Sequence, residues 1–209
     1  PLLRVTEGNL KQDILDGDKR FATPPFYTTA PDGGLGNGIL RRQCTSDYKI
    51  KPIQRKLREL AGYKPRQRIP ENTVEQWIGI SLDEIQRMKD APERWCNNRW
   101  PLIEKRMTRL HCLEWMRDHG YNELPKKSAC TFCPYHDNAT WRKMKDEDPD
   151  SWEEAVTIDK RIRNGFQKTT QNLYLHRSLV PLDEVDLSDP AEDQRSFSFM
   201  DECEGMCGV

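Results

Sequence analysis

The sequence predicts a mixed helix-and-strand fold, on three observations. Apolar residues recur at helical spacing at Ile50, Ile53, Leu57 and Leu60, at Leu110, Leu113 and Met116, and through Trp152, Ala155, Val156 and Ile162. Between the first two of these helices, Val74 to Ile80 reads as a strand, with Trp77, Ile78 and Ile80 apolar. At 209 residues the chain is long enough for one sizeable domain with a real core, with room for a smaller lobe.

In chain order, Leu2 to Val5 reads as a short strand, followed by Gly8 and a weak helix near Leu10–Leu15. Residues 21–38 hold Pro24, Pro25, Pro31 and four glycines, and read as a loop. Its glycines lack the Lys-Ser/Thr of a Walker phosphate loop. The helix over Ile50–Leu60 has Pro52 in its first turn and Gly62 at its end. After the strand, Leu82–Lys89 is a short helix with Ser81 and Glu84 as a capping box. Trp95, Trp100 and Pro101 mark a proline-broken turn, with the tryptophans, Trp115 and Trp152 included, read as core. A helix follows from Thr108 to His119, stopped by Gly120. Asn138–Lys145 is a short helix, and Ser151–Arg163 a longer one with Ser151 and Glu154 as its capping box. His176 reads as a structural histidine. Residues 183–201 are acidic, polar and expected to be extended or disordered.

Net charge is −1, but unevenly placed. Leu40 to Arg68 holds ten Lys and Arg against Asp47 and Glu59, a basic stretch suited to phosphates or to a solvated helix face. Leu182 to Glu204 holds nine Asp and Glu against Arg195. No apolar run approaches the roughly 18–20 residues that span a bilayer, and no signal-peptide pattern opens the chain. A reducing cytosol is therefore expected, where cysteines bind metals or do chemistry. The chain opens on Pro1 as if entering a domain part-way, so an N-terminal portion is expected to precede it.

The seven cysteines carry the chemistry. Ser128-Ala129-Cys130-Thr131-Phe132-Cys133-Pro134 places two thiols three apart on one loop, with the following proline that recurs in iron–sulfur ligand runs. One such pair is half of a four-coordinate site. Cys44, beside Arg41, Arg42 and Lys49, and Cys112, on the helix leading to the loop, are the candidates to complete it. All-sulfur ligation suits zinc or an iron–sulfur cluster and excludes magnesium and calcium. Two ligands arriving singly favour a [4Fe–4S] cluster, with zinc as the alternative. Cys96 reads as a buried small residue, and Cys203 and Cys207 lie in a glycine-containing tail.

Several of these motifs resemble one family. Arg42-Gln43-Cys44-Thr45-Ser46-Asp47-Tyr48-Lys49-Ile50-Lys51-Pro52-Ile53 is similar to the Cys-Cys-x-x-x-Lys-x-x-Pro-Leu stretch of adenosine phosphosulfate reductases. Cys130-x-x-Cys133 matches that family's second cysteine pair, and Trp77 to Arg87 its strand and following Gly-Leu-Arg-x-x-Gln-Ser-x-x-Arg segment. Glu202-Cys203 resembles the ending that carries the reductases' nucleophile. Thr45 stands where the family has a second cysteine, and its Ser-Gly-Gly-x-Asp-Ser phosphate loop does not occur.

The resemblance implies an adenine nucleotide alpha-hydrolase-like α/β fold, a parallel sheet flanked by helices, in an incomplete domain. It divides the chain into 1–95, the nucleotide-binding part; 96–182, a helical metal-binding part; and 183–209, an acidic tail with the cysteine motif. It also implies ATP or another adenine nucleotide as ligand at the sheet's C-terminal edge. Arg42, Lys49 and Arg87 would face phosphates, with Gly79 and Ser81 against the nucleotide. Cys203 or Cys207 would attack an activated sulfur or resolve a persulfide.

The expected function is nucleotide activation or sulfur transfer by an iron–sulfur enzyme, as in tRNA thiolases, DNA phosphorothioation enzymes and phage- or CRISPR-associated reductase-like proteins. Its partners would be a nucleic acid or a sulfur-donor protein. The alternatives are a true sulfonucleotide reductase and a zinc-stabilised nucleic-acid-binding module using residues 40–68.

Overall fold

The computed structural model of the protein describes residues 2–17, 24–29, 37–121, 129–165 and 171–188. Cys203 and Cys207 lie outside them. In chain order the elements are α1 (Leu10–Asp16), β1 (Tyr27–Thr29), β2 (Asn37–Ile39), α2 (Lys51–Leu60), β3 (Val74–Trp77) and β4 (Cys96–Arg99). There follow α3 (Pro101–Glu104), α4 (Arg109–Asp118), α5 (Asn138–Glu147), α6 (Pro149–Ile162) and β5 (Leu173–Tyr174). The fold is mixed α/β, with a parallel strand pair and a three-stranded antiparallel sheet. Among the described residues, no helix is long and apolar enough to cross a membrane.

The described chain divides into two units. The first holds residues 2–5 and 49–121, and the second holds 6–48 together with 129 onward. The boundary that the sequence suggested after residue 95 falls inside the first, at the entry to β4.

The second unit is built on α6. Its 14 residues bury Ala155, Ile158, Asp159 and Ile162, a spacing of three, one and three that makes one stripe of a helix. Against that stripe lie Ile14 of α1, Phe26, Phe132, Trp141 of α5, Leu173, Leu175, Leu182 and Leu187, all buried. α1 starts at Asn9, whose side chain accepts the Gln12 N–H, and ends at Gly17 in the left-handed region at φ +69°. The α6 start differs from the expected capping box. Asp148 is the cap, accepting the Ser151 N–H at 3.3 Å, and Pro149 opens the first turn. Glu154 is thereby left for another partner.

Part of the segment read as loop is sheet. β1 pairs antiparallel with β2, Tyr27 opposite Ile39, and with β5, Tyr27 opposite Tyr174. Gly38 permits the close approach: a Cβ there would stand 3.1 Å from the Thr28 methyl. Asp159 and His176 are the buried polar groups that fix the C-terminal side. Asp159 accepts the N–H of Leu175 at 2.8 Å and of Leu182 at 3.1 Å, and pairs with Arg163. His176 is structural, as expected: Nε2 lies 2.9 Å from Asn138 Oδ1 and Nδ1 2.7 Å from Ser178 Oγ. The 3₁₀ turn Leu182–Glu184 follows, where the sequence suggested an extended or disordered tail.

In the first unit β3 and β4 run parallel, in register from Val74–Cys96 to Trp77–Arg99. A parallel pair requires a crossover, supplied here by residues 78–95 with one 3₁₀ segment, Leu82–Arg87. Ile69, Trp95 and Cys96 form a small core with Leu57, Tyr63, Val74 and Ala91 around it. Three sequence expectations are corrected here, those for Leu2–Val5, for residues 96–99, and for Leu110 and Trp115. Leu2–Val5 is exposed and forms no strand. Residues 96–99, read as part of a turn, are β4. Trp77 faces solvent at 63% exposure, because side chains alternate along β3; its indole N–H donates to Glu75 and Arg99 lies over its ring. Leu110 and Trp115 on α4 are also exposed, and Trp115 stacks on His119 with ring centroids 3.9 Å apart. α4 otherwise forms as expected, with Thr108 and His111 making a reciprocal cap and Gly120 at φ +79°.

Candidate metal centre

The Cys130–Cys133 loop is held by its two middle residues. Phe132 is buried in the core of the second unit, which fixes the loop against α5 and α6. Thr131 donates its hydroxyl to Glu154 Oε1 at 2.7 Å, while Lys11 of α1 donates to Glu154 Oε2 at 2.6 Å. The turn closes with the Cys133 N–H donating to the Cys130 carbonyl at 3.1 Å. That carbonyl also lies 2.8 Å from His136 Nε2, so this nitrogen carries the proton, and the His136 ring meets Trp141 edge-on. Pro134 is buried directly after the second cysteine.

Cys44 comes from a distant part of the chain. It begins a helical turn with Thr45 buried beside it, and the next residues, Ser46–Ile50, form a π-turn that leads directly into α2. The Tyr48 hydroxyl donates to Asp13 of α1, anchoring that turn. Burial, then Asp13, raises the Tyr48 pKa, which keeps the phenol protonated.

The three thiols act on one another. Burial raises the Cys44 pKa, and the charge of Cys130 adds to it; Arg42 and the Thr45 N–H and hydroxyl pull the other way. Burial pushes Cys133 up to about 11, with Cys130 and Cys44 adding to it and the Tyr135 N–H and Arg42 opposing. The second unit therefore gathers Cys44, Cys130 and Cys133 into one neighbourhood with backbone N–H groups directed at two of the sulfurs. Mutual repulsion of thiolates opposes ionisation there, and a cation among them would reverse that penalty. Such N–H···S bonds are also the contacts that tune sulfur-ligated metal centres. Among the described residues, no group of three or more His, Cys, Asp or Glu side chains is already arranged to hold a metal ion. The donor chemistry fits a soft metal; the thiols are near one another without being closed round one point.

The other candidates are distributed. Cys112 is half-buried on α4, in the first unit. Cys96 is buried there, as expected, and burial raises its pKa. Arg42 lies beside Cys44 and over the Tyr135 ring at 6.0 Å. Lys49, Gly79, Ser81 and Arg87 belong to the first unit. A Cβ on Gly79 would meet nothing within 4 Å among the described residues, so that side of the residue faces open space. Ser81 makes no capping bond to the helix; its hydroxyl donates to Asp83, whose carboxylate also accepts the Arg109 N–H. Arg87 is ion-paired with Glu84.

Glu154 and Thr131 are the positioning residues that the sequence did not disclose, because Glu154 stands at capping-box distance from Ser151. Replacing Glu154 by Gln is expected to weaken metal retention about tenfold, the usual scale for an outer partner of a ligand loop, and to cost about 1 kcal/mol or less of stability, since Lys11 is solvent-screened. Metal content after dialysis and denaturant unfolding measure the two. Burial raises the Glu154 pKa, but Lys11 and Thr131 outweigh it, so the folded pKa is lowered. The stabilisation is thus present above the unfolded carboxylate value of about 4.3 and lost as pH falls through the lower folded value.

No family model, curated protein or solved structure matches the chain.

Proposed function

We propose that the protein is an iron–sulfur enzyme of the phosphosulfate reductase-like kind, using an adenine nucleotide in activation or sulfur-transfer chemistry. The observation that carries the metal part is the meeting of Cys44 with Cys130 and Cys133 in one unit, 86 residues apart in the chain. Three thiolates from two segments suit a cluster better than the paired knuckles of structural zinc. Bound there, a cluster would supply redox or Lewis-acid chemistry. The chain's own residues hold and orient it: the Thr45 and Tyr135 N–H groups through sulfur, Arg42 through charge, Phe132 and Glu154 through the loop.

The nucleotide part rests on the resemblance of four ordered motifs. On this reading the parallel pair β3–β4 belongs to an adenine nucleotide alpha-hydrolase-like sheet, and Arg42, beside the thiols, offers a bidentate grip on phosphate. Arg87, the other arginine the resemblance points to, is ion-paired with Glu84.

Anaerobic purification followed by iron, acid-labile sulfide and visible absorbance tests the cluster. Iron and sulfide in equal amounts, about four of each per chain, are expected. A colourless protein with stoichiometric zinc overturns the cluster. Calorimetric titration with ATP tests the nucleotide, and absence of binding by the metal-loaded protein overturns that part.

A further inference from the structure

The end of α4 carries an aromatic group that no core of the first unit uses. Trp115 and His119 are four residues apart, so a helix sets them on one face. Their rings stack with centroids 3.9 Å apart and planes 20° off parallel. The His119 Nδ1–H donates to the Trp115 carbonyl at 2.7 Å, which holds the imidazole against the indole. Gly120, at φ +79°, then turns the chain, and the Tyr121 N–H returns to the Met116 carbonyl at 3.0 Å. That turn brings the Tyr121 ring to 6.3 Å from the Trp115 ring, 28° off parallel. All three residues are exposed, Trp115 by 49% and Tyr121 by 53%. Rings left in water stabilise the fold little, because the hydrophobic gain scales with the area removed from water.

The charge along the same stretch is basic. Lys105, Arg106, Arg109 and Arg117 are exposed, and none is ion-paired among the described residues. Glu114 and Asp118 are the carboxylates there, and the 3.6-residue turn puts both on one side of Trp115. The other side runs through His119, Cys112 and Met116 to Arg109 and holds no acid. An apolar protein face laid here would strip water from cations without supplying counter-charge. An acidic segment would answer the cations and leave the rings unused. A duplex keeps its base faces stacked inside. A single strand answers both features, with free base faces for the rings and phosphates for the arginines.

We propose that the C-terminal end of α4 binds single-stranded nucleic acid, with bases stacking on Trp115 and Tyr121 and phosphates passing on the Arg109 side. The proposal does not rest on the thiolate centre or on adenine nucleotide binding, and its residues lie outside the basic stretch 40–68. The test is fluorescence anisotropy of labelled DNA and RNA strands of about ten nucleotides with the full chain. Saturable binding is expected, tighter for a strand than for the duplex of the same sequence and weakened by added salt. Trp115→Ala is expected to weaken binding about tenfold, the scale of one lost stacked base. Trp115→Phe keeps a ring and is expected to bind close to the parent. Trp77→Ala removes an exposed tryptophan on β3, away from this face in the chain, and is expected to change nothing. If Trp115→Ala fails to fold, Tyr121→Ala takes its place with the same expectation. No binding, a duplex bound as tightly as the strand, equal competition by polyglutamate, or unchanged affinity in the alanine variant overturns the proposal. So does self-association of the parent chain that Trp115→Ala abolishes, since a second copy then occupies the face.

Discussion

Cys133→Ser is expected to lose bound metal by more than about 100-fold, because even outer partners of ligand loops are worth 10–100-fold and Cys133 is proposed as a ligand itself. The thiol also depends on a cation to ionise. With Cys133 pushed up to about 11, roughly one in ten thousand is ionised at neutral pH without metal. Metal binding must therefore release protons, and apparent affinity must rise with pH. Cys96→Ser is the control: its thiol is buried in the core of the first unit, so it should keep full metal content. Metal analysis of anaerobically purified variants decides it. Equal metal in Cys133→Ser and the parent sinks the centre, and loss in Cys96→Ser points to unfolding instead. The same measurement on Cys112→Ser decides the sequence's expectation of Cys112 as a ligand.

Asp159→Ala is expected to destabilise the second unit by about 3–5 kcal/mol, the range for removing one partner of a buried ion pair. The carboxylate satisfies three donors at once, the N–H groups of Leu175 and Leu182 and the Arg163 guanidinium, and its side chain is 1% exposed. Truncation leaves all three facing the stripe of α6. Against a typical domain stability of about 5–15 kcal/mol, this is a large share. Denaturant unfolding followed by tryptophan fluorescence reads it, Trp141 and Trp152 reporting from the second unit. A change below about 1 kcal/mol would show that these donors find other partners and that Asp159 is not the latch described.

The helices were the most legible part of the sequence. α6 announces itself through Trp152, Ala155, Val156 and Ile162, since a helix that buries one face must repeat its apolar residues near 3.6. The strands were harder. β1, β2 and β5 have three, three and two residues, too short for a period of two to register, and glycines and prolines surround the first two. β4 reads Cys-Asn-Asn-Arg, which carries no strand signal; its state follows from pairing with β3. Tertiary context overrode local preference there.

The metal candidates divide in the same way. Cys130 and Cys133 are legible because their spacing is local. That Cys44 joins them follows from the turn anchored by Tyr48 on Asp13, a contact 35 residues apart in the chain. Glu154 shows the limit most clearly: at Ser151 plus three it has the position of a cap, yet Asp148 sits nearer the helix start and takes the Ser151 N–H, leaving Glu154 to hold Thr131. That Arg87 Nε, Asn98 Oδ1 and Trp100 Nε1 are buried without a hydrogen-bond partner among the described residues could not be read in advance, because satisfaction of a hydrogen bond depends on what stands opposite.

By itself the sequence determined the helices, the soft-donor chemistry of its cysteines and the absence of any long apolar run, because each is set by residue type and short-range spacing. Tertiary structure alone decided which thiols meet, which tryptophans are buried and which polar atoms stay unpaired. Those depend on contacts between segments far apart in the chain, which no local period encodes.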